Sequence, residues 1–86
     1  MWKLKFTAES KKQLKKLNKD SQIRVIKYLQ KVEKSNLPIS FGKALTGNKR
    51  KLWRYRVGDY RVICYIKNKE LVVLILEIEH RSKVYK

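Results

Sequence analysis

The stretch that decides the fold is LWRYRVGDYRVICYI, residues Leu52–Ile66. It consists of two runs rich in β-branched and aromatic residues, separated by a Gly-Asp pair of the kind found in tight turns. Because side chains alternate between the two faces of a strand, Arg54 and Arg56 fall on one face and their aromatic neighbours on the other. We therefore expect a hairpin that turns at residues 58–59 and starts its second strand with Arg61 close to Arg56.

A third strand follows over Leu71–Glu79, after a turn around Asn68. Strict alternation divides its side chains, and those just beyond it, between two faces. One face would carry Leu71, Val73, Ile75, Glu77, Glu79 and Arg81, and the other Val72, Leu74, Leu76, Ile78 and His80. A sheet of this kind can bring Arg54, Arg56, Arg61 and Arg81 together on an exposed face.

The N-terminal part predicts a strand and a first helix. Residues 2–6 alternate between apolar side chains and lysine, which is typical of a half-buried strand. Thr7 offers an N-cap oxygen, and Glu9 lies in the first turn, where the helix dipole favours a negative charge. The helix would place Leu14 and Leu17 on its apolar face, with lysines around them.

A second helix is predicted after residues 18–20, capped by Asp20 or Ser21. Apolar residues recur at three- and four-residue spacing, which forms a stripe for burial. The stripe consists of Ile23, Val25, Ile26, Leu29 and Val32. Ser35, Asn36 and Pro38 end this helix, and the connector Ile39–Lys51 leads to the hairpin.

These elements predict an α+β fold of order β-α-α-β-β-β. Neither helix can bury its stripe alone, so we expect an antiparallel sheet with the two N-terminal helices packed on one face. Residues 1–86 are long enough for a single domain. Cys64 lies in a β-like run and is expected to be a buried, unpaired small hydrophobe. Trp53, Tyr55, Tyr60 and Tyr65 are expected to be packing residues.

The charge points to an anionic partner. The chain has 23 Lys and Arg against seven Asp and Glu, a formal net charge of +16. Repulsion of this size opposes a compact state, and a polyphosphate would relieve it by releasing counterions on binding. No apolar run approaches the roughly 20 residues of a membrane span, and the N-terminus lacks the apolar core of a signal peptide. We expect a cytoplasmic protein without a membrane partner.

Clustered arginines on a sheet suit a phosphodiester. The guanidinium group binds phosphate oxygens bidentately and can stabilise the extra negative charge of the transition state. RNA carries its own nucleophile, the 2′-OH. One His, one Cys and no Asp/Glu group with ligand spacing argue against a metal site. No cofactor-binding motif is visible either.

Three segments of this chain resemble the RelE/ParE toxin superfamily. They are the hairpin LWRYRVGDYRVICYI, the connector FGKALTGNKRKLWR (residues 41–54) and the terminal EHRSKVYK (Glu79–Lys86). The HR-x-x-VY ending resembles the RNase branch more than the gyrase-poisoning ParE branch. The resemblance spans nearly the whole chain and implies a RelE-like microbial RNase toxin fold.

What the resemblance implies is the toxin of a type II toxin-antitoxin system, a metal-independent endoribonuclease that cuts mRNA in the ribosomal A site. Cleavage would proceed by 2′-OH attack on the adjacent phosphate. Basic strand residues of the family match Arg54 and Arg56, and its later arginines match Arg61 and Arg81. These arginines would stabilise the transition state or assist the leaving group, while Tyr85 would stack on a nucleobase.

The proton acceptor stays open among His80, Glu79 and a lysine such as Lys51. His80 ranks first because its ordinary pKa suits the task, although a lone histidine is more often structural. Further RNA contacts are expected from a set of basic residues: Lys11, Lys12, Lys15, Lys16, Lys49, Arg50, Lys51 and Lys83. The helix lysines among them also fit an ordinary solvated face.

A free ribonuclease of this kind would kill its own cell, so a cognate acidic, RelB-like antitoxin is the expected partner, beside the ribosome and mRNA. Two alternatives stay open. A ParE-like inhibitor would bind DNA gyrase without cutting RNA, and a non-catalytic module would only hold RNA through the same arginines. Arg54 and Arg56 could also be ordinary strand residues that pair with Glu77 and Glu79. A membrane-surface protein is a more distant alternative.

Overall fold

The computed structural model describes residues 2–35, Pro38, residues 41–44 and residues 52–80. Five strands form one sheet, in the order β1-β5-β4-β3-β2. The elements in chain order are β1 (Lys3–Phe6), α1 (Ala8–Lys16), α2 (Lys19–Lys34), β2 (Lys43–Ala44), β3 (Leu52–Val57), β4 (Tyr60–Lys67) and β5 (Val72–His80). The predicted α+β class is confirmed, and the two-residue strand β2 adds to the predicted order within the connector.

The sheet is mixed, whereas the sequence predicted an antiparallel one. β2, β3, β4 and β5 pair in antiparallel fashion, but β1 runs parallel to β5, with Leu4 opposite Val73. The reason is the path of the chain. β1 and β2 lie at opposite edges of the sheet, and the β3-β4-β5 meander returns from β2 to β1, with β5 pointing in the same direction as β1.

Both helices begin at capped N-termini. The side chain of Thr7 accepts a hydrogen bond from the backbone N–H of Ser10 at 3.1 Å and donates one to the carbonyl of Leu76 at 3.2 Å, which ties α1 to β5. α2 is capped by Asn18, whose Oδ1 accepts from the N–H of Ser21 at 2.8 Å. The predicted cap at Asp20 or Ser21 is therefore wrong. Asp20 lies inside the first turn, where its charge favours the helix dipole.

Fewer residues of α2 are buried in the core than the sequence predicted. Val25, Leu29 and Val32 are fully buried, at the four- and three-residue spacing that keeps side chains on one helix face. Ile23 and Ile26 lie outside this face and are 45% and 39% exposed. The buried residues pack against the side chains of the sheet that point toward the helices.

Tyr55 anchors the centre of the core. Its side chain is fully buried, and its hydroxyl donates a hydrogen bond to the carbonyl of Pro38 at 3.0 Å. The ring of Tyr28 lies 5.7 Å from it, centroid to centroid. Burial raises the pKa of Tyr55 far above its ordinary value, so this side chain stays neutral. The predicted packing role of Tyr55 is confirmed.

Cys64 is fully buried, as predicted. Its thiol lies 3.6 Å from the carbonyl oxygen of Trp53 and donates to it. Burial raises the pKa of Cys64 to about 12, so the reactive thiolate is suppressed at neutral pH.

Gly42 lets β2 approach β3. Its φ is +69°, and a Cβ at this position would lie 2.1 Å from the carbonyl oxygen of Arg54. Any other residue would push the two strands apart. The close approach brings Lys43 opposite Arg54.

Candidate functional site

Three arginines lie together on the face of the sheet turned away from the core. The hairpin turns at residues 58–59 as predicted, which places Arg56 directly opposite Arg61 in β4. Arg54 lies two residues before Arg56 and therefore on the same face. Lys43 of β2 is opposite Arg54 and extends the group toward the sheet edge. We call this surface, defined by Lys43, Arg54, Arg56 and Arg61, the arginine face.

The three arginines differ in exposure. Arg56 is exposed, Arg54 is half-buried, and Arg61 is only 5% exposed. Directly opposite side chains on neighbouring antiparallel strands have Cβ atoms about 4.5–5.5 Å apart, a distance at which like charges repel. An anion bound between Arg56 and Arg61 would relieve this repulsion. The arginine face is therefore a strong candidate for a phosphate-binding site.

A β-bulge in β5 changes which side chains reach this face. Ile63 is opposite Glu77 and Cys64 is opposite Ile75, so Leu76 is an extra residue in the ladder. A bulge shifts the alternation of a strand by one residue. Ile75 and Ile78 both point into the core as a result, while Glu77 and Glu79 lie on the arginine face. The prediction that Val73, Ile75, Glu77 and Glu79 share one face is wrong for this reason.

The bulge sets up a charged row across three strands. Glu79 lies directly opposite Arg61, which lies directly opposite Arg56. The pKa of Glu77, two residues before Glu79, is raised by burial and then by the negative charges of Glu79 and Glu9. Three of the seven acidic residues of the chain therefore lie near one another at this end of β5.

His80 lies on the other side of the sheet. It is opposite Tyr60, and the two rings meet edge to face, with centroids 5.3 Å apart. Both rings line a cleft of about 340 Å³ between β5 and α1, which Glu9, Gln13, Lys16 and Glu79 also line. The sheet does not bring the imidazole to the guanidinium groups of the arginine face, although the sequence ranked His80 first as proton acceptor.

α1 covers the outer edge of β5 beyond the end of β1. The backbone N–H of Ile78 donates to Oε1 of Gln13 at 2.6 Å, so a side chain takes the place of a neighbouring strand. The helix lysines Lys11, Lys12, Lys15 and Lys16 are all exposed. Lys16 lines the cleft beside His80, whereas Lys11, Lys12 and Lys15 do not line it.

Several residues that the sequence singled out lie outside the described part of the chain. These are Arg81 and Tyr85 of the catalytic set, and Lys49, Arg50, Lys51 and Lys83 of the RNA-binding set. Two side chains of the arginine-bearing face were not anticipated. Lys43 belongs to a strand too short to predict, and Tyr65, expected in the core, is 37% exposed on that face. Alternation from Arg61 could have placed Tyr65 there.

No described helix has the length and apolar character needed to cross a membrane. Within residues 2–35, 38, 41–44 and 52–80, no group of three or more His, Cys, Asp or Glu side chains is placed to hold a metal ion.

The chain is a small α+β domain with arginines on one face of its sheet, and comparison with known proteins identifies its family. Residues 4–85 match the family model of the ParE toxin of type II toxin-antitoxin systems. The chain belongs to this family, within the RelE/ParE superfamily, and is a toxin of a type II toxin-antitoxin system. Among curated proteins, no relative matches.

Solved structures of RelE toxins have the same fold. The RelE-RelB complex of Pyrococcus horikoshii matches with 29% identity and a TM-score of 0.78, over 95% of this chain and 97% of the matched one. The RelBE2 complex of Mycobacterium tuberculosis matches with 25% identity and a TM-score of 0.70, over 94% and 92%. The isolated RelE toxin of E. coli, at 21% identity, shares the fold with a TM-score of 0.74, over 99% and 92%.

Proposed function

We propose that this toxin is a ribosome-dependent endoribonuclease that cleaves mRNA in the A site without a metal ion and so inhibits translation. The observation that carries the proposal is the placement of Arg54, Arg56 and Arg61 on one face of the sheet. Guanidinium groups at this spacing can hold a phosphodiester and stabilise its pentacoordinate transition state. The overall likeness to RelE toxins supports the same function.

The chemistry is transesterification within the RNA. The 2′-oxygen attacks the adjacent phosphorus, the bond to the 5′-oxygen breaks, and a 2′,3′-cyclic phosphate and a 5′-hydroxyl result. Arg61 and Arg56 would hold the phosphate, and Arg81 would add charge at the leaving group. Tyr85 would stack on a nucleobase and keep the RNA in line. The lysines of α1, with Lys49, Arg50, Lys51 and Lys83, would contact RNA phosphates.

The experiment is primer extension on a defined mRNA in a reconstituted translation reaction, with and without ribosomes. We expect cuts at A-site codons that require ribosomes and that fade in Arg81→Ala and Tyr85→Ala. For Arg81→Ala we expect a loss of about 10²–10³-fold, the usual effect of removing one transition-state donor. Lys34→Ala, an exposed lysine at the end of α2, is the matched control and should cut like the wild type. Undiminished cutting by both variants would contradict the assigned roles.

A second candidate function is inhibition of DNA gyrase, which the ParE family match favours. A supercoiling assay with purified gyrase separates the two candidates. Inhibition of supercoiling by a toxin that leaves ribosome-bound mRNA intact would favour the gyrase target. If the protein only binds RNA, with a steep salt dependence and no cuts, the arginine face holds phosphate without chemistry.

The partner that we propose is an acidic, RelB-like antitoxin in the cytoplasm. The solved structure from Pyrococcus horikoshii is a RelE-RelB complex, and that from Mycobacterium tuberculosis is the toxin-antitoxin complex RelBE2. The net charge of +16 favours a segment rich in Asp and Glu that covers the arginine face. We expect the antitoxin to block RNA cleavage and to bind Arg54→Ala/Arg56→Ala more weakly than the wild type. A cognate antitoxin that binds no better than an unrelated acidic peptide would contradict this.

A further inference from the structure

We propose that Glu79 is the general base of this site, the group that takes the proton from the attacking 2′-hydroxyl. The inference rests on the proposed function and adds the missing member of its chemistry. Its basis is the bulge in β5, which turns Glu79 onto the arginine face.

Glu79 is placed where a proton acceptor is needed. It lies directly opposite Arg61 in the row Glu79–Arg61–Arg56, so its carboxylate is on the same face as the two guanidinium groups. Cβ atoms of directly opposite residues lie about 4.5–5.5 Å apart, within the reach of side chains that would hold one phosphate between them. Glu79 is half-buried, which leaves it accessible to a substrate.

The other acceptors of the described chain are less well placed. His80 points to the opposite side of the sheet, where its ring meets Tyr60. Glu77 shares the face of Glu79 but is opposite Ile63, one row away from Arg61 and Arg56. Glu77 is therefore the natural control, because it has the same charge, strand and face.

Several charged and titratable groups lie on the elements next to Glu79. α1 contributes Glu9 and Lys16, which line the cleft that Glu79 also borders. β4 contributes Tyr60 and Arg61, β3 contributes Arg56, and the strand itself contributes Glu77 and His80. The raised pKa of Glu77, to which both Glu79 and Glu9 contribute, indicates that the carboxyl groups interact.

The step balances without a further reactant. A carboxylate oxygen of Glu79 takes the proton of the 2′-hydroxyl while the 2′-oxygen forms a bond to phosphorus. The bond from phosphorus to the 5′-oxygen breaks, and that oxygen takes a proton from a water molecule. Glu79 then gives its proton back to solvent. The products are a 2′,3′-cyclic phosphate and a 5′-hydroxyl, and nothing is oxidised or reduced.

The test compares Glu79→Gln with Glu77→Gln. Single-turnover cleavage of mRNA is measured on programmed ribosomes at neutral pH. Glu79→Gln should lose roughly 10²–10⁴-fold in rate, because the proton acceptor is lost. Glu77→Gln should keep most of the rate. Binding of a 2′-O-methyl RNA should be undiminished in both variants.

Each outcome of this test either supports or overturns the assignment of Glu79 as the base. If the wild type does not cleave, the proposed function fails first. If the wild type cleaves and Glu79→Gln matches it in rate, the assignment of the base is wrong while the function stands. If Glu79→Gln is slow and also loses affinity for the 2′-O-methyl RNA, Glu79 only positions Arg61. That result also overturns the proposal.

Discussion

Arg61→Ala is expected to lower the rate of mRNA cleavage by roughly 10²–10³-fold, because one donor to the transition state is lost in a shielded position. Arg61 is 5% exposed and lies in the middle of the row that links Arg56 and Glu79. Shielding from water strengthens its interaction with a developing negative charge. Arg61→Lys should recover little of the rate, since an ammonium group cannot hold a phosphate bidentately.

The measurement is single-turnover cleavage on programmed ribosomes, with thermal unfolding of each variant to check the fold. Arg24→Ala is the control, because Arg24 is an exposed arginine of α2 and its loss changes the net charge equally. We expect this variant to retain nearly the full rate. Equal losses in Arg61→Ala and Arg24→Ala would mean that only overall charge matters, and would contradict the role of the arginine face.

Leu29→Ala is expected to reduce the free energy of unfolding by about 2–5 kcal/mol, the usual cost of such a cavity in a packed core. Leu29 is fully buried in α2, between Val25 and Val32 on the helix face that covers the sheet. A domain of this size has roughly 5–15 kcal/mol in total, so the loss is a large part of its stability.

Urea denaturation followed by circular dichroism measures this effect. Ile26→Ala, on the same helix but 39% exposed, should cost roughly 1 kcal/mol or less, because most surface changes are small. Similar costs for the two substitutions would contradict the assignment of the core face. The comparison also tests whether Ile26 lies outside the core, as in the structure, or within it, as the sequence predicted.

The hairpin could be predicted because its signals are local. A Gly-Asp turn between two alternating runs determines both the register and the face of every side chain. Arg56 opposite Arg61 follows directly from it, and so does the core position of Tyr55. The N-cap at Thr7 is equally local, since it depends on one hydroxyl and the helix that follows.

The rest depended on contacts between distant parts of the chain. The bulge at Leu76 arises in the pairing of β5 with β4, and no single residue of β5 predicts it. It nevertheless determines that Glu77 and Glu79 face the arginines. The parallel pairing of β1 with β5 likewise depends on how far the helices carry the chain. The shared face of Arg54, Arg56 and Arg61 was therefore predictable. Glu79 was a candidate from the sequence, but its position opposite Arg61 follows only from the bulge.

The most direct test of the central claim is primer extension on two ribosome-bound mRNAs that differ at one atom. One is all ribose, and the other carries a 2′-deoxy nucleotide immediately 5′ of the scissile phosphate. We predict a cut in the first, ending in a 2′,3′-cyclic phosphate or the 3′-phosphate formed from it, and no cut at that site in the second. Equal cutting of both would contradict it, because the RNA would then not supply the nucleophile.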